Sequence, residues 1–439
     1  MHPRIDAFRG PALLALGLSL ALAGVPAVSA DPTTTRQTGG ENTETPLTLE
    51  EAEQRAVERD PASARYRAEA AAAAEAAVSA GALPDPELTA GAMNLPTDSF
   101  SVADDPMAQI QLGLRQGFPT GRDAARQGSE AQAAAARAQA QEATRTARRE
   151  ARQAFLELYY RTEAVRLLKA NRDPFQAMVD AAERELGAGR ADRQDLLQAT
   201  LARERLEDRI DDERIAVDEA RARLARWVGQ EMAHRPLAPS DPDLPAIPGR
   251  DEGHEHLRDH PRLVRAAAEV GAGQAGVAEA EAAYRPDWGV EVTYGHRRAD
   301  GMDGDTAPDT LSAMVMVELP LFTANRQDRD RAAGKRRLDA AQSQRREAEL
   351  ELQQALEATY DRWQRLETRS ERYQQRLVRL ATDSAEAALA AYRADTVEFT
   401  ALQQARTEAL EVRLEALRLE NRRAQTQAEL LELLGEDPS

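Results

Sequence analysis

The 439-residue chain has no cysteine, only 4% aromatic residues and no excess of positive charge. The first absence rules out disulfides, thiolate metal sites and a cysteine nucleophile, and leaves no cysteine to carry an N-terminal lipid after export. The formal net charge of −18 excludes the basic surface that DNA or RNA requires and favours a surface or lumen that gathers cations. Few aromatics beside 30% charged residues suit long exposed helices better than a large compact core. After the N-terminus no run is apolar enough for a transmembrane helix. Gly-x-Ser-x-Gly, His-Glu-x-x-His and phosphate-loop patterns are also missing, so the reading is of a protein that is not an enzyme, with no cofactor and no metal site.

What the chain does contain, it contains twice. Asp60-Pro61 is answered by His260-Pro261, Leu196-Leu197-Gln198-Ala199 by Leu402-Gln403-Gln404-Ala405, and Gly229 by Gly435, an offset that drifts only from 200 to 206 residues. Each repeat reads as a helix, two short strands and two very long helices, a unit that buries its apolar faces only against neighbouring units. The expected boundaries are a first repeat over 47–229, a Pro-rich linker over 230–250, a second repeat over 251–435 and a tail over 436–439. Ahead of them, Arg4 and Arg9 precede an apolar run from Ala12 to Val25, and Val28-Ser29-Ala30 offers a cleavage site. Residues 1–30 therefore read as a secretory signal peptide and 31–46 as a flexible leader.

Thr48 with Glu51 opens the first helix as a capping box, and helices are expected over about 49–81 and 255–284. Prolines at 84, 86 and 286 then favour extended chain. Strands follow at about 87–95, 109–118, 288–297 and 311–321. In them Trp288, Val290, Val292 and Tyr294 alternate with Gly289, Glu291, Thr293 and Gly295, and Ile110, Leu112 and Leu114 alternate with Gln109, Gln111, Gly113 and Arg115. Such alternation fits either a half-buried sheet or an outer-membrane barrel. Four strands cannot close a barrel, and an open edge in lipid leaves backbone groups unsatisfied, so a membrane sheet would need strands from several chains.

From Arg122 to about Leu186 the sequence is almost free of helix breakers, enough for a rod of roughly 100 Å. Leu352, Leu356, Thr359, Trp363, Leu366, Ser370, Tyr373, Leu377, Leu380 and Ser384 keep an unbroken 4-3-4-3 spacing, as do Leu410, Leu414, Leu417, Asn421, Ala424, Ala428 and Leu431, and Leu206, Ile210, Glu213, Val217, Ala220, Leu224 and Trp227. That is the seam of coiled-coil packing, with Glu213 and Asn421 setting register or facing water. Two patterns carry less than they promise. Gly271, Gly273 and Gly276 match a dinucleotide fingerprint, but inside a helix with no preceding strand. His254, His256 and His260 lack further convergent ligands for a metal.

The signal peptide, the two repeats and the Pro-flanked strands (Leu83-Pro84-Asp85-Pro86, Gly117-Phe118-Pro119, Leu319-Pro320-Leu321-Phe322) together resemble the TolC family of outer-membrane efflux proteins. The Asn94-Leu95-Pro96 and Phe-Pro contexts are most similar to the branch serving heavy-metal and other resistance-nodulation-division pumps. The resemblance implies a mainly α fold with a small membrane β part: a homotrimer whose α-helical tunnel continues into a twelve-stranded β-barrel in outer-membrane lipid of a Gram-negative bacterium. It implies a passive conduit in a tripartite efflux system, with a periplasmic adaptor protein and an inner-membrane efflux pump as partners. A type I protein-secretion duct is the alternative, and a soluble periplasmic coiled-coil adaptor a further one, although adaptors resemble one hairpin rather than two. By the same resemblance the hairpin tips, about 186–191 and 392–397, meet the adaptor through Gly187, Gly189, Arg190, Arg393, Asp395 and Thr396. The family's entrance acids just beyond the second tip are matched here by Ala401 and Gln404, leaving Asp195 and Glu398 as candidate entrance acids. The second tip also departs from the pattern by lacking glycine.

Overall fold

Proline and short polar side chains decide where the helices begin. The computed structural model describes residues 45–189, 192–239, 241–300, 305 and 307–435. The expected signal peptide, the expected leader up to residue 44, Arg190 and residues 436–439 lie outside the described residues. Helix α1 (Leu49–Arg59) opens on Thr48, whose hydroxyl oxygen accepts the N–H of Glu51 at 3.2 Å. The chain then turns at Asp60 and restarts as α2 (Pro61–Ala80). Pro61 supplies the first helical residue, and the Asp60 carboxylate accepts the N–H of Ser63 at 2.7 Å and its hydroxyl at 2.8 Å.

Strands β1 (Glu87–Met93) and β2 (Gln109–Phe118) lead into α3 (Arg122–Ala170), α4 (Arg172–Gly187) and α5 (Arg193–Val228). After a short α6 (Gln230–Ala233), the second repeat runs through α7 (Arg250–His256), a 3-10 turn at Leu257–Asp259, α8 (Pro261–Ala282), β3 (Asp287–Arg297) and β4 (Thr310–Glu318). It closes with α9 (Gln327–Arg372), a π turn at Tyr373–Leu377, α10 (Val378–Arg393) and α11 (Phe399–Leu434).

The rod expected from 122 to 186 is broken. Asn171 sits between α3 and α4 with φ −92° and ψ 0°, and its side-chain amide donates to the Leu167 carbonyl at 2.8 Å. Pro174 supplies the reason, for it has no N–H to offer the carbonyl four residues back. The second repeat interrupts its outgoing helix at the corresponding level by the π turn instead. Both returning helices, α5 and α11, run unbroken for 36 residues.

The two hairpins join through one apolar seam near their tips. Leu168, Phe175, Met178 and Val179 of the first meet Leu206 and Ile210 of α5 and Phe399, Leu402, Leu410 and Leu414 of α11. Farther from the tips, the chain entry folds back on the linker. Leu47 bridges Leu237 and is buried with Phe155, Leu158 and Leu224. Polar seam residues fix the register between the hairpins. Glu157 takes the guanidinium of Arg161 at 2.9 Å and the amide of Asn421 at 3.0 Å, while Arg161 also reaches Glu213 at 3.0 Å.

Among the described residues the strands form one antiparallel sheet in the order β1-β2-β3-β4. Its register places Leu88 opposite Leu114, Leu114 opposite Val292, and Val292 opposite Ala313. The two repeats thus contribute adjacent halves of a single sheet, joined at β2 and β3.

Candidate functional site: the hairpin tips and the outward sheet face

The first tip ends α4 at Gly187 and turns at Gly189, which adopts a left-handed φ of +71°. Its N–H donates to the Leu186 carbonyl at 3.0 Å. The second tip makes the same turn without glycine. Asp395 takes φ +57°, and its N–H donates to Tyr392 at 3.0 Å. Short polar side chains tolerate this conformation better than branched ones do. Thr396 tightens the turn by donating both its N–H and its hydroxyl to the Ala391 carbonyl, at 3.0 and 2.8 Å.

Between the tips lies a cleft of about 1220 Å³, whose lining includes Gly189, Arg393, Asp395, Thr396, Asp195 and Glu398. Six of the eight residues singled out in the sequence therefore share one cleft. Gly187 ends its helix with open space where a Cβ would stand, and Arg190 is not described. Asp192 and Glu398 flank α5 and α11 as equivalent N-terminal residues, so the counterpart of Asp195 is Ala401. Neither Asp195 nor Glu398 makes an ion pair among the described residues.

Tyr392 and Phe399 escaped notice in the sequence. Their rings meet edge to face at 5.9 Å and 72°, bracing the second turn. Burial raises the Tyr392 phenol above its ordinary pKa, and the charges of Glu185, Asp195 and Asp395 push it the same way. Two aromatics seven positions apart around a turn, in a chain with so few, were the available signal.

At the other end of the molecule, the sheet turns its apolar side outward. Leu88, Ile110, Leu112, Leu114, Val290 and Val292 are all exposed, and Leu88 is 69% so. The polar face is the more crowded one. A Cβ on Gly113 would lie 2.5 Å from the Thr89 hydroxyl, and one on Gly295 would lie 2.6 Å from that of Thr310. Glycine here lets threonine and glutamine side chains pack across the polar surface. A water-soluble half-buried sheet has the opposite arrangement, with its apolar face covered.

The two patterns set aside in the sequence have structural roles. Gly273 lies inside α8, where a Cβ would come within 3.2 Å of the Leu338 backbone, so it allows α8 and α9 to approach. The histidines diverge. His254 pairs with Glu357 at 2.7 Å, His256 faces the Leu434 carbonyl, and His260 caps α8 by accepting the Arg262 N–H at 3.1 Å. Burial, followed by the charges of Arg145 and Arg262, lowers the His260 pKa to about 4.

Two long helical hairpins thus carry one four-stranded sheet whose apolar face is exposed among the described residues. Residues 253–436 match the family model described as outer membrane efflux protein. No curated protein sequence matches the chain. Among solved structures, a membrane protein from Pseudomonas aeruginosa is 15% identical with a TM-score of 0.73, covering 88% of this chain and 93% of that one. The outer-membrane channel OprN is 18% identical with a TM-score of 0.73, covering 89% and 90%. The outer membrane protein VceC from Vibrio cholerae is 19% identical with a TM-score of 0.71, covering 89% and 97%. The resemblance to the TolC family of outer-membrane efflux proteins therefore holds, in sequence over the second repeat and in fold over both.

Proposed function

We propose that this chain is the outer-membrane channel component of a tripartite efflux system, conducting small toxic solutes or metal ions from an inner-membrane pump to the exterior without converting them. The observation that carries the reading is the sheet. Among the described residues its apolar face is bare, and its outer strands β1 and β4 each pair on one side only. In lipid such edges must be closed by strands from other copies, and three copies would supply twelve strands. The helical hairpins would continue the barrel as a periplasmic tunnel. At their far end the cleft between the tips, with Arg393, Asp395 and Thr396 on its wall, would receive the hairpin of an adaptor protein, and Asp195 and Glu398 would stand at the entrance.

The test is extraction from separated membranes, followed by mass measurement in detergent and conductance in a planar bilayer. The expected result is an outer-membrane protein that resists salt extraction, emerges as a helix-rich trimer and forms water-filled pores. A soluble monomer released from the periplasm without detergent would overturn the reading.

A further inference from the structure

Arginine is arranged on the second hairpin in a way the tunnel alone does not require. Arg362, Arg365, Arg369, Arg372, Arg376 and Arg379 follow one another at spacings of 3, 4, 3, 4 and 3, and all six are exposed. They form a single stripe about 25 Å long on α9, the π turn and the start of α10. Two of them are paired within the chain, Arg362 with Glu429 at 3.0 Å and Arg369 with Glu415 at 3.4 Å. Arg365, Arg372, Arg376 and Arg379 make no ion pair among the described residues. Like charges three and four residues apart repel on an isolated helix, and the protein as a whole is strongly acidic. Such a stripe calls for an acidic counterpart outside the chain's own contacts.

That counterpart exists on a different flank of the same molecule. Helix α5 packs mainly on α3 and α4 and only lightly on α11, whereas α9 and α10 pack on α11, so α5 and the arginine stripe occupy different flanks. The free face of α5 carries Glu204, Asp208, Asp211, Asp212, Asp218 and Glu219, all exposed, with Ile215 exposed at its centre. Asp208 and Asp212 make no ion pair among the described residues. The other four are met only by arginines of their own helix, such as Arg214 with Asp211 and Arg221 with Asp218.

The two stripes also overlap in height. Arg209 of α5 is paired with Glu411 of α11. A few residues along α11, Glu415 pairs with Arg369, and Arg413 donates to the Thr382 hydroxyl at 3.0 Å. The acidic face around residue 209 is therefore level with the stretch from 369 to 382. An acidic and a basic face on different flanks, similar in length and overlapping in height, make a head-to-tail contact that repeats from molecule to molecule.

We infer that neighbouring copies of this chain join by seating the arginine stripe of α9 and α10 against the acidic face of α5, a charge-matched seam that sets the order and axial register of the ring. The inference rests on the multichain reading proposed above and names the surface that builds it. The seam works as flanking charges do in a coiled coil, where they choose partner and register more than they supply affinity.

The chain's lack of cysteine makes the test clean. Full-length protein carrying Asp212→Cys with Arg376→Cys is treated in outer membranes with oxidant or a short bis-maleimide, and its mass in detergent is measured in parallel. The expected result is a ladder of covalent dimer and trimer that needs both substitutions, because the two cysteines of one chain lie on different flanks. In a second arm, Arg365→Glu, Arg372→Glu and Arg376→Glu together should reduce trimer yield at least tenfold, and adding Asp208→Arg, Asp212→Arg and Glu219→Arg should restore it. Trimers that neither cross-link nor respond to charge reversal would overturn the seam while leaving the channel reading intact, with the stripe then facing the pore or another protein. A wild-type chain that is monomeric in detergent would overturn both.

Discussion

Gly189 and Asp395 hold the same place in the two hairpins, each in the left-handed region, at φ +71° and φ +57°. A Cβ on Gly189 would meet nothing within 4 Å, so its role is conformational and not a matter of space. Gly189→Pro should therefore destabilise the first hairpin, because proline fixes φ near −65°. Asp395→Gly should be neutral or stabilising, and Asp395→Val should cost about 1–2 kcal/mol. Gly187, in helical conformation with open space around it, should accept alanine with a gain of up to about 1 kcal/mol. Thermal unfolding of the detergent-solubilised variants checks the order. Equal effects of alanine at 187 and proline at 189 would contradict the assignment of the turn.

The sheet gives a prediction with an internal control. Val292 is exposed on the apolar face between Leu114 and Ala313, while its neighbour Thr293 faces the polar side near Gly113. Val292→Asp should impair membrane assembly by up to a few kcal/mol, and Thr293→Asp much less, because charge on a lipid face is penalised and charge in a lumen is not. Heat-resistant oligomer recovered from outer membranes is the readout. Equal tolerance would mean that lipid does not cover the Val292 face.

The fold was legible because its signals are periodic. Alternation in Trp288–Tyr294 and heptad spacing from Leu352 to Ser370 survive without any knowledge of partners, and the duplication makes each half vouch for the other. The breaks were less legible. Pro174 lies within the first few residues of α4, where a helix tolerates it, so its effect on the Ala170–Arg172 junction is hidden in a long helical pattern, and no residue type announces a π turn at Tyr373–Leu377. The tip residues were picked out by resemblance to the family, with turn chemistry speaking in the sequence only for Gly189. The bracing pair, Tyr392 and Phe399, was not legible, since an aromatic contact across a turn leaves no periodic trace. The arginine stripe went unread in the sequence, because its meaning depends on the height of α5, which only the packing sets.

At the tips, Arg393→Glu combined with Arg190→Glu should weaken adaptor cross-linking and lower cellular resistance several-fold while trimer yield stays at the wild-type level. Arg393 lies on the cleft wall, far along the chain from every strand. Resistance unchanged by the double reversal would mean that the adaptor is held elsewhere or mainly by apolar contact.

His260 makes a pH-dependent prediction with a definite sign. Its folded pKa, about 4, lies below the ordinary 6.5, because burial and then Arg145 and Arg262 oppose the charged ring. Between those values the unfolded chain binds a proton that the folded chain does not, so stability falls as the pH drops from about 6.5 towards 4. The full loss is about 3 kcal/mol for this one group. His260→Asn keeps an acceptor for the Arg262 N–H but cannot titrate, and should flatten that part of the profile in melts between pH 4 and 7. An unchanged slope would place the acid sensitivity in other groups.

Ion preference tests whether the acidic composition reaches the pore. Each chain carries a formal charge of −18, and a ring of three would carry about three times as much. Many acids on the helices are paired with nearby arginines, as Asp211 is with Arg214 and Glu163 with Arg166, so they add little field at a distance. Asp195 and Glu398 differ. They lie on the wall of the tip cleft and lack ion-pair partners among the described residues, and threefold repetition at a constriction would put six such charges within a small radius. Walls of low dielectric focus that field, so reversal potentials in a salt gradient should show cation selectivity. The selectivity should decline above about 1 M salt, where the screening length falls to about 3 Å. Asp195→Asn with Glu398→Gln should reduce it several-fold without altering trimer yield. An anion-selective pore would refute the acidic lumen. Selectivity that survives the double substitution would move its source away from the tips to acids farther along the tunnel.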